Sequence, residues 1–274
     1  MRHTAILLVA LLLAGCAQQQ AAPTPSQSPS PSPVGSPTTA YVPLPDPSLM
    51  GNSLYKAGQV DAVRCTTPTA RLATKQAIIR YATAFVRCLD RAWAPVLQRV
   101  HFSFSPVVAV YSAPTGSKSG CGVMESKVAA LYCDETRSIY FNWPRYIVKE
   151  AQDQEGGRAS VQYLMAHEYG HHVQQLTGLT SGYAQKYWAA EPDAQRGEQD
   201  RHEMQAHCFA AAFFGANRET LRLKGERLAQ FGHPGYTPSG SADHFLDWLK
   251  RGFAVRGPRD CNTWTKPAAA SNLS

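Results

Sequence analysis

The chain has 274 residues, seven of them cysteine, and a formal net charge of +7. Hydrophobic residues make up 44% and charged residues 17%, an ordinary globular balance that excludes wholesale disorder. No apolar run reaches the roughly 18 residues that a spanning helix needs, which excludes a bundle of membrane helices, and an odd cysteine count leaves at least one outside intramolecular disulfides.

The N-terminus accounts for the odd cysteine. Ala5 to Ala14 is an unbroken apolar run, too short to span a bilayer and of the length of a signal-peptide core. It ends in Leu13-Ala14-Gly15-Cys16, which resembles a bacterial lipoprotein cleavage box. The resemblance implies removal of residues 1–15 and lipid on Cys16; the alternative is an ordinary secretory signal with a coincidental cysteine. Two or more acyl chains anchor a protein stably, where one does so only marginally. Residues 16–47 follow as a linker. Nine of the nineteen prolines lie between Gln18 and Pro47, and Ser28-Pro29-Ser30-Pro31-Ser32-Pro33 cannot bury apolar surface. At roughly 3 Å per residue such a stalk spans tens of ångströms. Export makes the six remaining cysteines, Cys65, Cys88, Cys121, Cys133, Cys208 and Cys261, candidates for disulfides. Loss of Arg2 leaves 26 basic against 20 acidic residues, +6. Outside the cytoplasm this excess reads as a solvated basic surface, or as attraction to anionic headgroups or wall polymers, and not as a nucleic-acid footprint.

The folded part is expected at 48–265, one domain, with 266–274 as a tail. Apolar spacing predicts a helix from Arg71 to Trp93, stopped by Pro95. Val107 to Tyr111 reads as a short strand, and Ala129 to Tyr132 with Ile139 to Phe141 as a pair. Ser160 to Thr177 is a helix with Ser160 as N-cap candidate and Gly178 as terminator. Asp200 to Phe214 is a second, closed by Gly215, and Asp243 to Phe253 a third. Short strands followed by several helices imply an α+β fold.

Five of the nine histidines lie between positions 167 and 207. His167-Glu168-Tyr169-Gly170-His171 is an HExxH motif inside the predicted helix. Residues four apart share one helical face, so two neutral imidazoles can meet one Zn²⁺ ion. Glu168, about 100° round the helix, can reach an attacking water without binding the metal. Glu203 lies 32 residues after His171 on the second predicted helix. A carboxylate is the usual third ligand beside HExxH, leaving the fourth position to water, whose pKa a net charge of +1 lowers toward roughly 7. His172 and His202 adjoin ligands, are expected to point elsewhere on their helices, and read as structural or surface residues.

These residues resemble a family of bacterial neutral zinc metallopeptidases. The resemblance rests on Ala166 to Gln174 and Glu203 to Ala210. It extends to Ser119-Gly120-Cys121-Gly122, Tyr132-Cys133-Asp134, Trp248 to Phe253 and Asp260-Cys261-Asn262-Thr263. It implies a zincin-like single domain, a small sheet packed on the HExxH helix. It also implies the pairs Cys121 with Cys133 and Cys208 with Cys261, leaving Cys65 with Cys88; the alternative for Cys208 is metal ligation. The family pattern has Asp where this chain has His207. Three readings follow for His207: a replacement hydrogen-bond acceptor for a ligand histidine, a fourth ligand closing the site, or the mark of an impaired enzyme.

The expected function is peptide-bond hydrolysis by a zinc-activated water. His167, His171 and Glu203 would be the ligands and Glu168 the general base. Tyr183, Tyr236, His233 and His244 are candidates for a further donor to the developing oxyanion. The expected setting is the bacterial cell envelope. There a monomer would meet peptide or protein substrates and the membrane through its lipid, with no nucleic acid. The rival is a catalytically silent zinc-binding lipoprotein with a structural or peptide-binding role. A hydrolase for a non-peptide amide is compatible with the same motif.

Overall fold

The computed structural model describes residues 49–223 and 242–265. The chain divides into two units, Met1–Val42 and Pro43–Ser274, and every described residue belongs to the second. The signal segment, Cys16, the proline-rich linker, His233, Tyr236 and the tail from 266 lie outside the described residues.

The elements run α1 (Lys75–Arg99), β1 (Val110–Ser112), β2 (Lys118–Ser119), β3 (Gly122–Val123), β4 (Ala130–Cys133), β5 (Ser138–Phe141), α2 (Pro144–Gln152), α3 (Gln154–Leu176), α4 (Leu179–Ala189), α5 (Pro192–Ala216) and α6 (Ala242–Val255). This is an α+β domain. Its sheet has the order β1-β5-β4: β1 runs parallel to β5 with Val110 opposite Ile139, and β4 antiparallel with Tyr132 opposite Ile139. β2 and β3 form a separate two-stranded ribbon.

α3 is the central helix. It packs on α1, α2, α4 and α5, and it buries Val161, Leu164, Met165, Tyr169 and Val173 together with His167, Glu168 and His172. Burial on nearly all sides makes it a core helix that carries its polar groups inside. α1 and α5 close the core behind it. Phe85 meets Phe213 edge-on at 5.7 Å and Trp93 meets Phe209 at 5.6 Å. Each such fully buried large side chain contributes about 1.5–3 kcal/mol. Asp90 of α1 ties these layers together, accepting from the Tyr169 hydroxyl at 3.0 Å and the Arg87 guanidinium at 3.0 Å.

Several boundaries differ from expectation. α1 continues through Pro95 to Arg99, with Thr74 as its N-cap. An internal proline costs about 3 kcal/mol, but Val96 and Leu97 are fully buried and offset it. α3 begins at Gln154, because the Asp153 carboxylate accepts from the Glu155 and Gly156 amides and caps it. Ser160 lies within the helix, its hydroxyl donating to the Gly156 carbonyl at 2.8 Å. Gly178, at φ 76°, does follow α3. α5 starts eight residues earlier than predicted and passes through Gly215 to Ala216, the backbone of Phe253 packing where a side chain would stand. β1 starts later, because Val107 and Val108 bond to Asp90 and Arg137 before the ladder begins. α2 and α4 are two further helices that the sequence reading does not contain.

Three disulfides join Cys65 to Cys88, Cys121 to Cys133 and Cys208 to Cys261. Cys208 is therefore a bridge residue and not a metal ligand.

Candidate metal centre

α3 presents His167 and His171 one turn apart, and α5 crosses it where Glu203 faces both. The approach is close because Gly170 sits against the backbone of Ala206, where a Cβ would lie 2.7 Å from the Ala206 carbonyl oxygen. Glu203 Oε2 lies 3.4 Å from His167 Nε2 and 3.6 Å from His171 Nε2. One donor atom from each of the three lies within 4.8 Å of the others, and His207 is not part of this cluster. Two imidazoles and a carboxylate facing one point suit Zn²⁺, with room for a further ligand. The expected trio thus converges from two helices.

The charges around this point are strongly coupled. Burial disfavours an ionised Glu203, but His171 and His167 outweigh it and hold the carboxyl well below its usual range. Burial likewise disfavours protonated His171. The Glu203 carboxylate, then Glu168, overcome it and raise the pKa to about 9. A buried carboxylate facing a histidine, His171, that it keeps protonated in the metal-free protein is what a cation would relieve.

Glu168 is buried, at 5% exposure, and does not belong to the three-donor cluster. Its Oε2 accepts from the Tyr132 amide of β4 at 2.7 Å. Burial raises its pKa against the pull of His167 and His171. A carboxyl with a raised pKa beside a candidate metal point suits proton transfer near neutrality.

The ligand imidazoles are held differently. His171 Nδ1–H donates to Gln174 Oε1 at 2.8 Å, which leaves Nε2 toward the centre. Gln174 donates in turn to the His202 carbonyl at 2.9 Å and to Gln205 Oε1 at 3.0 Å. Gln205 then donates to the Tyr55 hydroxyl at 2.8 Å and the Cys261 carbonyl at 3.1 Å. Such outer hydrogen bonds fix tautomer and ring orientation. His167 Nδ1 is buried with no hydrogen-bond partner among the described residues. Its ring lies face to face with that of His207, centroids 3.9 Å apart and planes 29° apart. His207 is buried, and its Nδ1 meets the Tyr163 hydroxyl at 2.7 Å. Among the described residues, no hydrogen bond runs from His167 Nδ1 to it.

His202 departs from expectation. Its ring does not point away but stacks on His171, centroids 4.9 Å apart, with Tyr183 on its other face at 4.2 Å. His172 is structural: Nε2 bonds the Ser105 carbonyl and Nδ1 the Tyr132 hydroxyl, both at 2.8 Å. Tyr183 reaches this wall from α4, whereas His244 lies on α6 with its side chain outside the described residues. The sequence reading missed Gln174, Gln205 and the Tyr132 amide. Gln174, three residues after His171 on one helix, had a spacing signal; the other two come together only through the fold.

An HExxH helix joined by a glutamate from a second helix, on an α+β scaffold, is a metalloprotease-type metal site. The profile of the family described as putative neutral zinc metallopeptidase matches residues 45–230, more than half of the chain, and the chain belongs to that family. It is similar to the uncharacterised protein YpfJ of Escherichia coli K12, 26% identical over 209 residues, covering 68% of this chain and 71% of that one. It is also similar to the uncharacterised proteins Mb2605 of Mycobacterium bovis and Rv2575 of Mycobacterium tuberculosis. Each is 34% identical over 141 residues, covering 48% of this chain and 45% of the relative. No solved structure gives a significant match.

Proposed function

We propose that the protein is a zinc-dependent metallopeptidase of the bacterial cell envelope, extracytoplasmic and lipid-anchored through Cys16. The observation that carries the catalytic reading is the convergence of His167, His171 and Glu203 within 4.8 Å, with Glu168 buried beside them. The envelope setting is supported by the apolar run ending at Cys16 and by three disulfides, which persist in oxidising compartments. Among the described residues no helix is long and apolar enough to cross a membrane. In this reading a monomer engages a peptide or protein substrate and the membrane through its lipid, and no nucleic acid.

His167, His171 and Glu203 would hold the metal. When bound, zinc supplies Lewis acidity, acidifying a water and polarising the scissile carbonyl. The Tyr132 amide occupies one oxygen of Glu168 and holds the carboxylate in place. Its other oxygen takes the proton of the attacking water and returns it to the leaving amine nitrogen.

A second reading is a zinc-holding envelope lipoprotein without turnover. It is favoured by the buried His167 Nδ1, which has no acceptor among the described residues where metal-ligating histidines almost always have one. Zinc content and hydrolysis of a mixed peptide pool separate the two. The peptidase reading expects about one zinc per chain in the protein and in Glu168→Gln, with hydrolysis at least 10²-fold slower in the variant. Equal hydrolysis by both would end it. Zinc retention without hydrolysis by either would leave the silent lipoprotein.

A further inference from the structure

Both candidate ligand imidazoles are backed by a second imidazole from α5. His207 lies on His167 at 3.9 Å with 29° between planes, and His202 lies on His171 at 4.9 Å with 28°. Neither backing ring is in the donor cluster. Each is itself wedged. His202 is sandwiched by Tyr183 at 4.2 Å and 13°. His207 has Phe245 edge-on at 4.9 Å, and Tyr163 holds its Nδ1. α5 thus carries Glu203 and, one residue before and four after it, the two plates behind its partners.

The physical need is specific. Rotation of an imidazole about its second side-chain bond has broad, roughly two-fold wells. A ligand ring must be held in one plane to keep its donor nitrogen aimed. His171 has both a hydrogen bond to Gln174 and a stacked ring, whereas His167 Nδ1 has no hydrogen bond among the described residues. With Glu203 meeting its Nε2, the stack is what restrains the ring of His167 on its Nδ1 side.

We propose that His202 and His207 are positioning residues that hold His171 and His167 for zinc by ring stacking, His207 replacing a hydrogen bond with a flat contact. Any planar ring of similar size should serve. Imidazole nitrogens at these two positions should not matter to the metal. The inference rests on His167, His171 and Glu203 being the zinc donors.

The test measures zinc affinity of the full-length protein by competition with a chromophoric chelator, together with the visible spectrum of the Co²⁺-substituted form. His207→Phe, made in a Tyr163→Phe background so that no hydroxyl is stranded, and His202→Phe should keep affinity within about threefold and the parent Co²⁺ spectrum. His207→Ala and His202→Ala should weaken zinc binding by about 10–100-fold, the range seen when outer-sphere supports are removed. Melting of each zinc-free variant checks the fold, and Gln at the same positions supplies a ring-less variant if Ala does not fold. Phe variants that lose as much zinc as the ring-less ones, or a changed Co²⁺ spectrum, would show that imidazole chemistry is needed and overturn stacking. Ring-less variants with parent affinity would overturn it too. A parent that binds no zinc removes the donor assignment and this inference together; the other failures leave the donor assignment standing.

Discussion

Three neighbours set the chemistry of His171 at once. Gln174 accepts from Nδ1, Glu203 faces Nε2, and His202 covers one ring face. With its pKa raised to about 9, the ring is protonated below that pH in the metal-free protein. Zinc must displace this proton, so binding should release about one proton and weaken up to tenfold per unit as pH falls below 9. Isothermal titration in buffers of different ionisation enthalpy reads both; pH-independent affinity between 6 and 8 would contradict it. His172 behaves oppositely. Burial lowers its pKa to about 4, and burial lowers that of His202 to about 3. Both lie below the unfolded value of about 6.5. Their contribution to stability is therefore complete above pH 6.5 and is lost as pH falls toward 4, at up to about 1.4 kcal/mol per unit for each. Urea midpoints of the zinc-free protein should fall over pH 6.5–4.5, and His172→Gln should flatten that slope. An unchanged slope would count against the buried neutral ring.

At the level of elements, the centre depends on how closely α3 and α5 cross. Gly170 lies inside HExxH, and its missing side chain admits the Ala206 backbone; an added Cβ would stand 2.8 Å from the Ala206 Cα. Neither contact atom is a flexible side-chain end, so the helices must part. Gly170→Ala should cost about 1–3 kcal/mol by overpacking. It should also weaken zinc binding more than Ala at an exposed helical site does. A thermal melt with and without zinc measures both effects, and a variant as stable as the parent would refute the crossing argument. β4 contributes differently, through a backbone amide: any residue but proline at 132 keeps the N–H that donates to Glu168.

Across the whole molecule, the Cys208–Cys261 bridge joins the ligand-bearing α5 to the C-terminal segment across 53 residues. Its closure also seats the Cys261 carbonyl that ends the Gln174–Gln205 relay. Loop entropy assigns such a bridge about 4 kcal/mol, in a model that omits native strain. The double variant Cys208→Ser with Cys261→Ser should lower the melting temperature by more than 5 °C and loosen zinc in the same step. Loss of stability with unchanged zinc affinity would place the relay's importance elsewhere.

The sequence alone determined which donors exist and their local geometry. Four-residue spacing on a helix puts His167 and His171 on one face by covalent geometry, and the short strands followed by helices already read as α+β. It did not determine helix limits at Ser160, Pro95 or Gly215, because capping by Asp153 and burial of Val96 and Leu97 outweighed local preference. Nor could it say what backs the ligand rings. His202 adjoins Glu203, and helical spacing aims it elsewhere, yet the crossing of α3 and α5 brings its ring onto His171. His207 is likewise open to three roles from sequence, and the packed helices bring its ring onto His167. Stacking and the Gln174–Gln205 relay join residues far apart in the chain, so only the tertiary structure, through close packing at Gly170, decided them.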